Sequence, residues 1–292
     1  MTTRSTSPKL PAQPPTGDVP EQGTGQQPAT AATFSQSLER GLLILSSFGE
    51  GRPVLGIADL ARAVDLNKST THRYVATLAK LGYLQQDPDT KKYSLGPKVV
   101  DLGFAAINSM EITRVAAPYL QELSDETGYT VSMAVLEGPD IVYIDRRRSG
   151  RTSSFAVGLN LHVGSRLPAY CTSMGKVLLA HQQQGDLRVL LDRTDLARRG
   201  PKTITAREQL MAALARVRRT GFSINDEELA AGLRSLAAPV RDRTGGVVAA
   251  VNIAVHLTVW NASSDSVIAR LEAPLRSTVA EISARLGYRP SD

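Results

Sequence analysis

Two short stretches of this 292-residue sequence carry side chains at spacings that can do chemistry. In "GSRLPAYCTSMGKVLLA", Ser173 and Lys176 form S-x-x-K, which puts a hydroxyl one helical turn from an amine able to serve as its base. A serine hydrolase is one reading of that pair, but neither SDN nor KTG accompanies it elsewhere in the chain. Cys171, the one cysteine, is a candidate thiol nucleophile or redox switch in the same stretch. The competing reading is a loop entering a helix, whose free N–H groups from Thr172 to Gly175 suit a carboxylate. The second stretch, "LNKSTTHRYVATLAKLGYL", offers other chemistry. At about 100° per residue, Thr71, Tyr74, Val75, Leu78 and Leu81 share a stripe, with Ser69, Arg73, Ala76 and Lys80 opposite and His72 and Thr77 flanking them. One face wants a core. The other presents hydroxyls, an imidazole and a guanidinium with no carboxylate to neutralise them, as a solvated surface or a grip on nucleic acid would.

The elements around that second stretch decide between the two. Asn67 is a good N-cap, and no Gly or Pro interrupts the helix before Gly82. Upstream, Leu38, Gly41, Leu42, Leu45 and Phe48 recur at helical spacing until "FGEGRP" ends the segment. Ile57, Leu60, Ala61 and Val64 then mark a short helix, joined tightly to the next through "VDL". Two such helices, the second polar outside, form a helix-turn-helix. Behind it, "YLQQDPDTKKYSLG" reads as two strand pieces around a turn at Asp87 to Thr90, a wing with Lys91 and Lys92 at its tip. Three helices and a wing favour DNA. Lys68 and the first-turn N–H groups suit phosphates; Arg73 has the fork to read a guanine; Ser69, Thr70, His72 and Thr77 can make shorter contacts to base edges or phosphates.

The bulk properties fit. The length suggests about two domains. A formal net charge of +6 favours an anionic partner without identifying it. A single cysteine excludes an intramolecular disulfide and a CxxC metal site, and fits a reducing cytoplasm. No apolar run is long enough to span a membrane. Residues 1–33, rich in Pro, Gln, Thr and Gly, lack the apolar core of a signal peptide and read as a disordered tail.

The segments "QSLERGLLILSSF", "LNKSTTHRYVATLAKLGYL" and "YSLGPKVVDLGF" resemble the amino-terminal region of IclR-family transcriptional regulators, and later segments extend the likeness over most of residues 34–288. The resemblance implies an α+β chain: a winged helix-turn-helix over 34–96, a linker helix over 97–112 and a GAF-like effector-binding domain over 113–292. It also implies a backbone contact from Arg40. Pro97 to Gly128 reads as helical, with Val99, Leu102, Ala106 and Ile107 on one side and Pro118 marking a break or a new first turn. By resemblance the apolar side packs on a second copy, giving a homodimer or a dimer of dimers on a double-stranded operator.

From Thr130 onward strands and helices mix without regular alternation, which suggests a largely antiparallel sheet. "TVSMAVLEG" and "DIVYIDRR" form a hairpin, and "LRSLAAPVRDRTGGVVAAVNIAV" reads as two strands around a Thr-Gly-Gly turn. "GSRLPAYCTSMGK" resembles the element bordering the family's ligand pocket, which brings in Tyr170, Thr172, Ser173, Met174 and Gly175. By resemblance Asn225, Ser235 and Asn252 are further pocket-lining residues; many family members have Asp and Cys in place of the first two. "IVYIDRR", "VGSRLPAYCTSMGK" and "GLRSLAAPVRD" look most like the subgroup controlling aromatic-acid breakdown, so the implied effector is a small carboxylate, aromatic or from ring cleavage. Arg166 is the expected carboxylate partner. Arg146, Arg147, Arg148 and Arg151 read instead as a solvated surface. No cofactor, metal or catalytic residue is implied.

Overall fold

The computed structural model describes residues 34–49, 51–148, 161–256 and 264–290, so the expected tail at 1–33 and Arg151 lie outside the described residues. The chain divides into two compact units, one up to Val99 and one from Val100.

The first unit holds α1 (Gln36–Ser46), α2 (Ile57–Ala63), α3 (Lys68–Lys80), β1 (Leu84–Gln86) and β2 (Tyr93–Leu95). Asp59 accepts a bond from Gly56 N at 3.1 Å and so starts α2. The turn into α3 passes through Asp65, at a left-handed φ of 51° that Asp tolerates better than most residues. The strands pair antiparallel, Leu84 opposite Leu95, and Leu55 exchanges two backbone bonds with Tyr93 along the hairpin's edge. Ile44, Leu55, Leu60, Val75, Leu84 and Tyr93 form the core. Helix α1 turns a different face inward from the one its spacing suggests. Ile44 is buried and Leu45 and Phe48 half-buried, while Leu38 and Leu42 are exposed. The run Leu42 to Leu45 is apolar at every position, so periodicity cannot choose the face.

The second unit contains most of α4 (Pro97–Ser109), then α5 (Glu111–Thr127), β3 (Thr130–Glu137), β4 (Asp140–Arg147), β5 (Arg166–Pro168) and a 3-10 turn, Ala169–Cys171. It continues through α6 (Ser173–Ala180), α7 (Gln184–Asp192), α8 (Arg207–Thr220), β6 (Ser223–Asp226), β7 (Leu233–Arg241), β8 (Val247–His256) and α9 (Ser264–Arg285). The helix break falls at Met110, in extended backbone, and Pro118 sits inside α5. Pro118 is exposed, so the backbone bond it forfeits lies on the solvent side. The six strands run in the order β5-β4-β3-β8-β7-β6, each neighbouring pair antiparallel. Helices α5 and α9 cover one face, with Leu120, Leu123, Leu275 and Ile282 against Val131, Met133, Val251 and Ile253. On the other face Met174, Val177 and Leu178 of α6 meet Ala134, Ile141, Tyr143, Ala237 and Ala250. Each such Leu or Ile contributes about 1.5–3 kcal/mol by leaving water.

One irregularity matters later. The register of β3 with β4 shifts between Met133 and Ala134, because Tyr143 pairs with Ala134 and Asp145 with Met133, leaving Ile144 as the extra residue. A bulge of this kind swaps the faces of every side chain beyond it.

Candidate functional site

Helix α3 begins at Asn67, whose Oδ1 accepts from Thr70 N at 2.8 Å. Thr71 and Val75 are buried and Tyr74 and Leu78 half-buried, as the stripe requires; Leu81, the C-cap, is exposed instead. Opposite them Lys68, Ser69, His72, Arg73, Ala76, Thr77 and Lys80 are exposed, and Thr70 half-buried. None of the ion pairs among the described residues involves Lys68, Arg73, Lys91 or Lys92. The face is therefore positive and open. Two of its members are partly committed. The Thr77 hydroxyl donates to Arg73 O at 2.9 Å, which leaves it only lone pairs to offer. Arg40 is half-buried beside the Tyr74 phenol, and hydrogen bonds from Ser37 and then Arg40 hold that phenol below its ordinary pKa. In the wing, Asp87 Oδ1 accepts from Thr90 N at 2.7 Å and from Asp89 N at 3.1 Å, bonds that depress its carboxyl pKa and fix the tip. Lys91 adopts a left-handed φ of 57° there, and both wing lysines are exposed.

The second candidate lies where α6 meets the sheet. All eight residues of α6 are buried, Lys176 included. Thr172 caps the helix, its Oγ1 accepting from Gly175 N at 3.1 Å. Gly175 has no room for a side chain, because a Cβ there would stand 2.1 Å from Ala169 O. Its lack of a side chain thus serves the packing of helix against turn. Met174 belongs to the core, and the Tyr170 hydroxyl donates to Ala197 O at 2.6 Å. Ser173, Asn225 and Ser235 do converge. The two serine hydroxyls lie 2.7 Å apart, and Asn225 donates through Nδ2 to Cys171 O at 2.5 Å while its Oδ1 accepts from Glu228 N at 3.3 Å.

Asn252 is on the same sheet face but not in that cluster. It pairs with Ala237 on one side and Ser132 on the other, and its buried Oδ1 has no partner among the described residues. Arg166, the expected carboxylate partner, is engaged by two carboxylates of this chain. It stands exposed on β5, 3.0 Å from Glu137 and 3.9 Å from Asp140, with its charge already answered.

The enzyme readings fail on the same geometry. Lys176 Nζ donates to Ile224 O at 2.9 Å and pairs with the buried Glu228 carboxylate, so its amine is held by those groups rather than by Ser173. Burial, with the nearby Glu228 charge second, pushes the Cys171 thiol up to about 11, so it stays protonated at neutral pH. Glu228 went unrecognised in the sequence; the signal was the acidic run "NDEE" facing a lysine on an otherwise apolar helix. A cleft of about 220 Å³ between α6, α8 and β6 is lined by Lys176, Arg216, Ser223 and Glu228, away from Ser173, Ser235 and Asn252. Among the described residues no group of acidic, His and Cys side chains could hold a metal, and no helix is long and apolar enough to cross a membrane.

Comparison with known proteins covers both units. Residues 37–88 match the IclR helix-turn-helix domain, and residues 104–284 match the C-terminal region of bacterial IclR transcriptional regulators. The chain is 42% identical to the Pca regulon regulatory protein of Pseudomonas putida, over 77% of this chain and 75% of that one. It is 35% identical to the regulator XynR of Escherichia coli, over 87% and 98%. A crystal structure of an IclR homologue from Microbacterium hydrocarbonoxydans, complexed with 4-hydroxybenzoate, superposes with a TM-score of 0.72 at 28% identity, over 86% and 98%.

Proposed function

The chain belongs to the IclR family of bacterial transcriptional regulators, and we propose that it switches an operator in response to a small organic acid, aromatic or derived from ring cleavage. Its helix-turn-helix is a DNA-binding unit, and its relatives are regulators rather than enzymes. The observation that carries the effector reading is the polar set on the α6 side of the sheet, where Ser173, Asn225 and Asn252 are buried and Ser235 is half-buried. Polar groups under an apolar layer cost stability unless bonding or use offsets them. The likeness to a Pca regulon regulator and to a homologue holding 4-hydroxybenzoate supports an aromatic acid.

In this reading Lys68, Lys91 and Arg40 grip phosphates, while Arg73, with Ser69, Thr70, His72 and Thr77, reads bases of a double-stranded operator in the cytoplasm. Two copies associate through the apolar side of α4 that carries Val99 and Leu102, where Leu102 lies open and Val99 half-buried; sedimentation of a Leu102→Glu variant tests that seam. The effector reading is tested by a thermal-shift screen of aromatic and muconate-like acids on the full chain. An acid at one hundred times its dissociation constant stabilises by about 2.7 kcal/mol. A flat screen overturns it.

A further inference from the structure

Among the arginines on the edge of the second unit, Arg146 stands apart. Arg147 meets Asp145 through two bonds of 2.7 Å, and Arg166 meets Glu137 and Asp140. Arg146 has no carboxylate partner among the described residues. Its Nη1 donates to Ser132 Oγ at 3.2 Å, which fixes the plane of the guanidinium, while its Nε is buried with no acceptor. The bulge at Ile144 is what brings it here. Strict alternation along β4 would put Asp145 and Arg147 on the face that holds Ile141 and Tyr143; the shift puts Arg146 there instead, level with Ser132, which is level with Asn252.

Two unsatisfied buried groups thus flank Ser132 on the α6 face of the sheet, a donor in Arg146 Nε and an acceptor in Asn252 Oδ1. A buried charged donor without an acceptor is costly, and groups of this kind mark a place where a partner from outside the chain belongs. Burial is the main force lowering the Arg146 pKa, and Arg148 adds to it while Tyr143 opposes it, so an anion would relieve the site. The Nε–Nη2 edge is the side of an arginine that takes a carboxylate through two parallel bonds.

Resting on the effector reading above, we propose that Arg146, oriented by Ser132, holds the effector's carboxylate, and that Asn252 accepts a hydroxyl of the same ligand. The ligand class is a hydroxylated carboxylic acid. A bare carboxylate satisfies the arginine and leaves the amide oxygen unpaired.

Calorimetry on the full-length protein tests this with 4-hydroxybenzoate, 3,4-dihydroxybenzoate, benzoate and 4-hydroxybenzamide. The hydroxylated acids are expected to bind, with benzoate weaker and the amide lost. Arg146→Gln should weaken the acids about ten- to a hundredfold, and Arg146→Lys should recover only part, since it restores charge without the fork. Arg148→Gln, on the exposed neighbour, should change binding less than twofold. Operator binding without ligand confirms that each variant is folded, and should Arg146→Gln fail that check, the carboxylate-against-amide comparison on the unaltered protein decides. Equal binding of the acid by Arg146→Gln, or of the amide by the unaltered protein, overturns the role of Arg146 while leaving the effector reading standing. Benzoate as tight as 4-hydroxybenzoate overturns the role of Asn252. Binding of none of these acids overturns this inference, while the screen that includes muconate-like acids still decides the effector reading.

Discussion

Helices α3 and α6 start with the same local device and put it to opposite uses. Asn67 caps one by accepting from Thr70 N at 2.8 Å, and Thr172 caps the other by accepting from Gly175 N at 3.1 Å. Each then carries hydroxyls and a lysine in its first turns. In α3 the polar face is exposed and its charges meet no carboxylate among the described residues; in α6 every residue is buried and Ser173 and Lys176 bond to Ser235, Ile224 and Glu228. An exposed polar side chain remains available to a partner at little cost. A buried one must be satisfied within the fold, so what remains unsatisfied there is informative.

The largest expected effect sets the two lysines against each other. Lys176→Met leaves Glu228 buried without its counter-ion and should cost about 3–5 kcal/mol in urea unfolding. Lys68→Met, on the open face, should stay within about 0.5 kcal/mol. Adding Glu228→Gln to Lys176→Met removes the stranded charge and should recover most of the loss. If the two lysine variants unfold at the same urea concentration, the buried pair is not holding α6 to β6 and the contrast is broken.

Glycine and alanine give the next test. Gly175→Ala drives a Cβ into the Ala169 carbonyl and should cost about 1–3 kcal/mol through displacement of the 3-10 turn. The reverse exchange on α3, Ala76→Gly, faces solvent and should cost only the helix propensity, about 1 kcal/mol. Circular dichroism melts of both variants sharpen the comparison; Gly175→Ala melting with the unaltered chain would mean that the turn moves freely.

A third test reads function rather than stability. Arg73→Ala should cost about 1–3 kcal/mol in operator affinity and relax preference at one base of each half-site, with the melting curve unchanged. Lys68→Ala should weaken all sequences alike and lower the salt slope by about 1. Identical behaviour of the two would show that α3 grips the backbone without reading it.

The same contrast explains what the sequence could and could not tell. The stripe of α3, the wing and the hairpins β3–β4 and β7–β8 are local patterns, each legible from spacing and turn residues alone. The inward face of α1 was not, because four consecutive apolar residues carry no period. In the second unit residue type is legible from sequence and bonding partner is not. Ser173, Asn225 and Ser235 come together as expected, yet their bonds run to each other and to Cys171 O. Alternation along β4 puts Arg146 on the wrong face of the sheet, and only the pairing of Tyr143 with Ala134 reveals that the phase changes. Lys176 invites a catalytic reading until Glu228, on a distant segment, is placed beside it.

The smallest effect isolates burial itself. Asn67 and Thr172 make the same bond to the same position of a helix, so their loss differs only in what happens to the freed N–H. In Asn67→Ala, Thr70 N is near the surface and water replaces the lost acceptor; the cost should be about 0.5–1 kcal/mol. In Thr172→Ala, Gly175 N is enclosed by the turn and the sheet, and the cost should approach about 2 kcal/mol. Thr172→Ser keeps the acceptor and should restore most of the difference, which separates the hydrogen bond from the lost methyl group. Chemical denaturation of the three variants under one buffer measures it. Equal costs for Asn67→Ala and Thr172→Ala would mean that water reaches the start of α6, and the polar groups there would then be as free to meet a ligand as those of α3 are to meet DNA.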